Sequence, residues 1–104
     1  MSDLYAQFEG DVATQEKIEA KEPKLYKVLL HNDDYTTMDF VIMVLETVFH
    51  KSPSEATQIM LNVHHKGIGI CGVYPFDVAQ TKVATVLTIA QKNEFPLQCS
   101  FEEA

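Results

Sequence analysis

Between an apolar stretch and an amphipathic one stands Asn32-Asp33-Asp34-Tyr35-Thr36: an amide, two adjacent carboxylates and a hydroxyl at a chain turn, just ahead of a helix start. A helix N-terminus carries partial positive charge and free N–H groups, so it attracts anions. One carboxylate there is ordinary capping. Two, with an asparagine beside them, leave acceptors to spare. Spare acceptors facing solvent suit a cation, either an ammonium group or a metal ion. The plainer reading is a turn, because Asx side chains bond the local backbone. Asp34, closest to the cap, fits the plainer reading. Asn32 and Asp33 are the residues expected to reach outward.

Other reactive side chains are sparser. His64-His65 falls at the end of a second helical stretch, where a histidine complements the helix dipole. That suffices for His65. His64 follows Met60 by four and Val63 by one, so it borders the apolar stripe and is placed to line a groove mouth. A metal site would combine His64 with Asp33 and Asp34, without any recognised ligand spacing behind it. Met38, Val41, Met60 and Val63 read as core, and the two methionines also suit an adaptable pocket wall. Asp77, Thr81 and Lys82 form a polar edge on a third helix, a solvated face on its own terms. No G-x-S-x-G, phosphate-binding loop or Cys-His motif points to catalysis. Cys71, between Ile70 and Gly72, reads as a packed thiol rather than an activated one.

These residues need elements to hold them. Leu25–His31 reads as a strand with Tyr26, Val28 and Leu30 on one face. Thr36 is then the expected N-cap of a helix, with Asp39 at N3 as a weak capping box. Met38, Val41, Ile42, Leu45, Val48 and Phe49 keep helical spacing, and His50 and Lys51 suit the negative end of its dipole. Ser52-Pro53-Ser54-Glu55 is a strong helix start: Ser caps, Pro takes N1 and Glu closes the box. Ala56, Ile59, Met60 and Val63 form its buried stripe, and Gly67 ends it. Ile68–Tyr74 reads as a strand with Gly69 and Gly72 allowing a bulge or close contact. Pro75 opens a third helix, patterned by Val78, Ala79, Val83, Val86, Leu87 and Ala90. Leu97, Cys99 and Phe101 alternate in a last strand. The fold class is α/β: a two-layer sandwich in which a small three-stranded antiparallel sheet is covered by three helices, in the order β-α-α-β-α-β.

Composition narrows the function. The chain has 104 residues, enough for one domain, and 46% of them are hydrophobic. No apolar run is long enough for a membrane span. Met-Ser-Asp-Leu at the start shows no basic n-region or apolar h-region, so no signal peptide is expected and a cytoplasmic protein is. The net charge is −7, and all 8 bases are lysine. A protein that grips phosphate normally presents a basic face and bidentate arginine, so nucleic acid is not the expected partner. Residues 1–22 hold six acids and two lysines and read as a flexible acidic tail. Leu4, Tyr5 and Phe8 would be its contact residues for a partner, and a weak helix fits near Thr14–Ala20. Residues 23–104 are then the core domain. The two cysteines, Cys71 and Cys99, suit a reducing compartment, with an intrachain disulfide as the alternative.

Taken in order, several motifs resemble the ClpS family of protease adaptors. They are Tyr26-Lys27-Val28, then Asn32-Asp33-Asp34-Tyr35-Thr36 with Met38 and Phe40-Val41. Ala56-Thr57-Gln58, Met60-Leu61, Val63-His64 and Gly67 follow. Ile70-Cys71-Gly72-Val73, Val78-Ala79, Thr81-Lys82-Val83-Ala84 and Pro96-Leu97 complete the match, which spans about residues 25–103. The resemblance implies an adaptor that binds proteins with a free N-terminal Leu, Phe, Tyr or Trp and delivers them to the ClpA unfoldase of the ClpAP protease. Asn32, Asp33 and His64 would hold the α-amino group. Asp34, Thr36, Met38, Val41, Met60, Val63 and Leu97 would line or border the side-chain pocket, with Met38 as a gate against β-branched residues. Asp77, Thr81 and Lys82 would meet the ClpA N-terminal domain. No catalytic residue, metal or cofactor is implied. Thr37 stands where a proline is frequent, Asp77 where glutamate is commoner, and His65 and Gln80 also depart from the pattern. The rival classes are an interaction module without an amino-terminus pocket and a small metal-dependent enzyme.

Overall fold

Six elements follow one another in a computed structural model that describes residues 23–104. They are β1 (Leu25–His31), α1 (Met38–Thr47), α2 (Pro53–Lys66), β2 (Ile68–Pro75), α3 (Phe76–Lys92) and β3 (Gln98–Glu103). The readings made for the acidic segment 1–22 lie outside the described residues. The strands form one antiparallel sheet in the order β2-β1-β3, so β1 is central. Its alternation decides which way it faces. Val28 and Leu30 are fully buried and pack with Val44, Leu45 and Val86 of the helices. On the opposite face Ile68, Ile70 and Val73 of β2 remain exposed. The helices therefore cover one side of the sheet, as the alternating pattern requires.

β2 carries one residue more than β1 can pair. Val28 stands opposite Gly72 and Leu29 opposite Ile70, so Cys71 is the extra residue of a bulge. Its side chain is wholly buried. Both cysteines are free and buried, which sets the disulfide alternative aside. They sit on β2 and β3, on either side of β1.

The helix starts differ in their chemistry. At α2 the Glu55 N–H donates to Ser52 Oγ at 3.2 Å, and the Ser52 N–H donates to Glu55 Oε1 at 3.1 Å. This is the reciprocal box that the sequence announces, with Pro53 in the first turn. α1 departs from expectation. Its N-cap is Thr37, whose Oγ1 accepts from the Phe40 N–H at 3.1 Å. Thr36 is not the cap, because Asp33 engages both its N–H and its hydroxyl. Asp39 therefore falls one place short of N3 and closes no box. At α3 the N-cap is Pro75 itself, without a side-chain bond.

The end of α1 is held from a distance. It has no basic residue in its last turn. Instead Lys82 of α3 donates from Nζ to the Val48 carbonyl at 2.7 Å. The same ammonium lies 5.7 Å from the Phe49 ring centre and 5.4 Å from that of Tyr74. His50, which the sequence assigned to the dipole, takes φ 56 instead and turns the chain toward α2. α2 ends at Gly67, with φ 88 and its N–H on the Val63 carbonyl at 2.9 Å. A left-handed terminus of this kind favours glycine.

Candidate functional site: a rimmed cavity between the first turn and two helices

β1 ends at His31, opposite Ile68 of β2 and Gln98 of β3. The chain leaves the sheet at Asn32, whose N–H donates to the Gly67 carbonyl at 3.0 Å. That bond ties the Asn32–Thr36 turn to the end of α2. It brings the polar turn beside His64, which sequence spacing alone did not establish.

Within the turn, Asp33 does the internal bonding. Its Oδ1 accepts from the Tyr35 N–H at 2.8 Å and the Thr36 N–H at 2.7 Å. Its Oδ2 accepts from the Thr36 hydroxyl at 2.7 Å. The expected division of labour is thus reversed. Asp33 builds the Asx turn, and Asp34 is exposed. The Asp-x-x-Thr spacing of Asp33 and Thr36 was the signal for it. Partial burial pushes the Asp33 carboxyl up. Donation from Thr36 and Tyr35 outweighs that and holds it below its ordinary value. A carboxylate has about four lone-pair sites. Three are used by the turn, so Asp33 keeps its charge and one direction for a further donor.

The turn, α1 and α2 enclose a cavity of about 230 Å³. Its lining sorts by burial. Asn32, Asp34, Met38 and His64 are exposed at the rim, with Asp33 and Thr36 half-buried beside them. Val41, Met60 and Val63 are buried and form an apolar floor. Met38 is 47% exposed and stands at the opening of α1. Leu97 is not among the lining residues; it is buried in the same core cluster as Val41, Met60 and Val63. The rings of His64 and His65 meet edge-on at 5.1 Å, but only His64 lines the cavity.

Asp77 and Thr81 are exposed on α3. Lys82 is not equivalent to them, since its ammonium is committed to the α1 terminus. A second, shallow hollow of about 380 Å³ lies along α3, lined by Gln80, Thr81, Ala84, Thr85, Thr88 and Ile89. It is the larger of the two but contains no ionisable group. The smaller cavity has the chemistry: a cluster of acceptors over an apolar well. It can hold a donor-rich cation at its mouth and a large apolar group beneath.

Among the described residues no group of three His, Cys, Asp or Glu stands where it could hold a metal ion. Burial drives the Cys71 thiol far above its ordinary value, with Cys99 adding to the rise, and pushes Cys99 up to about 12. Thiols so protonated are poor nucleophiles. Among the described residues no helix is long and apolar enough to cross a membrane.

Comparison with known proteins places the chain in a family. Residues 21–100 match the family described as ATP-dependent Clp protease adaptor protein ClpS. An ATP-dependent Clp protease adapter protein ClpS from Syntrophus aciditrophicus is 49% identical over 102 residues, covering 98% of this chain and 95% of the relative. One from Shewanella piezotolerans is 60% identical over 86 residues, covering 83% and 84%. Among solved structures, Agrobacterium tumefaciens ClpS2 bound to L-phenylalaninamide superposes with a TM-score of 0.77 at 37% identity. That match covers 80% of this chain and all of the other. With the family profile spanning most of the chain and relatives near half-identical along almost its full length, the chain belongs to the ClpS family of Clp protease adaptors.

Proposed function

We propose that this adaptor captures proteins through a free N-terminal Leu, Phe, Tyr or Trp and passes them to the N-terminal domain of the ClpA unfoldase for degradation by ClpAP in the cytoplasm. The observation that carries the reading is the cavity itself, in which an amide, a carboxylate and an imidazole share the rim of an apolar well. An α-ammonium brings three donors. The Asn32 carbonyl oxygen, the remaining direction on Asp33 (reached directly or through water) and a neutral His64 nitrogen are the acceptors assigned to it. Val41, Met60 and Val63 receive the first side chain, and Met38 narrows the entrance against branching at Cβ. A relative of this fold is described as bound to L-phenylalaninamide, which joins a free amine to an aromatic side chain.

The magnitudes explain why both parts are needed. Hydrogen bonds to a charged group contribute about 1.5–3 kcal/mol each. Burial of a large apolar side chain adds about 1.5–3 kcal/mol. Association itself costs several kcal/mol, so neither half binds well alone. Exposed Asp77 and Thr81 of α3, neither of which lines the cavity, are assigned to the unfoldase contact. The test is a binding panel of peptides that differ only in the first residue, with and without N-acetylation. Leu- and Phe-initiated peptides should bind with a free amine and lose affinity on acetylation. Equal binding of the acetylated forms would leave only an interaction module without an amino-terminus pocket.

A further inference from the structure

β2 begins directly after Gly67 closes α2, so the strand runs close behind the helix that supplies Met60 and Val63 of the cavity floor. The contact is tightest at Gly69. A Cβ built there would stand 2.6 Å from Val63 Cγ2, 3.3 Å from the Ile59 carbonyl oxygen and 3.5 Å from Ile59 Cγ2. Carbon atoms in contact prefer about 3.5–4.0 Å. Gly69 lies outside the left-handed region, in a strand that any residue can adopt. What the missing side chain provides is therefore space, not conformational freedom.

That space is used by a residue of the floor. Val63 is 3% exposed and lies between β2 behind it and the cavity before it. A valine in a helix has one strongly preferred rotamer, so it does not swing aside freely. The Ile59 carbonyl behind it is helix backbone and yields less still. A methyl at position 69 forces Val63 or the strand to shift, and a shift of Val63 away from the strand carries it toward the cavity. We infer that Gly69 is a specificity-positioning residue: by leaving room behind Val63 it sets the depth of the well, and with it the largest first side chain that fits.

This inference rests on the pocket reading above, and the experiment separates the two. Peptides beginning with Leu, Phe or Trp and otherwise identical are titrated into wild-type protein, Gly69→Ala, Val63→Ala and the double variant, each with an N-acetylated control. One methylene in an apolar pocket discriminates by roughly 10–200-fold. Gly69→Ala should therefore weaken Phe and Trp about tenfold relative to Leu. The double variant, which removes the Val63 methyl groups, should restore the wild-type ratio. Val63→Ala alone should shift preference toward Trp, and this arm stands even if Gly69→Ala folds poorly. If wild type does not distinguish free from acetylated peptides, the pocket reading fails. If wild type does, but Gly69→Ala lowers all three peptides equally or not at all, or Val63→Ala leaves the ratio unchanged, the role of Gly69 is overturned while the pocket stands.

Discussion

A carboxylate that accepts three hydrogen bonds from its own turn has its charge and direction fixed before any ligand arrives. Asp33 is in that state. Replacing it with Asn keeps the size but removes the charge and leaves an amide where an acceptor pair stood. Peptide affinity should fall roughly 10-fold or more, the equivalent of one charge-assisted bond. Isothermal titration reads the loss, and circular dichroism checks that the fold survives; unchanged affinity would remove Asp33 from the amine site. The same group makes a prediction for stability. Its folded-state value is depressed, so its contribution is present above the unfolded value of about 3.9 and is lost as pH falls through the folded one. Urea melts between neutral pH and about pH 3 should show wild type losing more stability than Asp33→Asn. Met38 offers a different test. Exposed at the entrance, it can be cut to Ala with little cost to the core. Met38→Ala should bind Ile- and Val-initiated peptides more nearly like Leu, and persistent rejection would move the gate elsewhere.

At the scale of the element, termini decide how the site is held. The Ser52 box is local, its partners three residues apart, and it was legible from Ser52-Pro53-Ser54-Glu55 alone. Ser52→Ala should cost about 0.5–2 kcal/mol. In a domain of this size each kcal/mol is worth roughly 4–8 °C in Tm, which calorimetry resolves. The start of α1 was less legible because Thr36 and Thr37 are both competent caps. The choice was made by Asp33, which draws Thr36 into the turn and leaves the cap to Thr37. The end of α1 was not legible at all. Its cation, Lys82, lies 34 residues away in sequence. Spacing on α3 places Lys82 beside Thr81, and nothing in that pattern shows its ammonium turning inward to Val48. Lys82→Ala should consequently lower Tm as well as any affinity for the unfoldase. Asp77→Ala is the cleaner probe of that face: it should weaken the partner in a pull-down and leave peptide binding unchanged, with Tm lowered only by the loss of one first-turn acid, about 0.3–1 kcal/mol.

Across the whole molecule, periodicity carried the architecture because both layers bury one regular face. Alternation in Tyr26-Val28-Leu30 and helical spacing in Val41-Leu45-Val48 meet in one core. Leu45→Ala at the centre of that core should cost about 2–5 kcal/mol. The floor of the cavity is continuous with the core: Val41, Met60 and Val63 share one buried cluster with Leu97, which spacing alone does not separate from them. The two thiols have a consequence for how this molecule opens. Flanking the central strand, Cys71 and Cys99 are shielded in the native state, and burial holds each of them in its unreactive, protonated form. An alkylating reagent can therefore modify them only in molecules whose sheet has come apart. They act as two clocks, one on each outer strand, started by unfolding and needing no engineered label. Equal alkylation rates by mass spectrometry would mean that the sheet opens as one unit. A faster rate at Cys99 would mean that the terminal strand peels away first, leaving β1 and β2 paired.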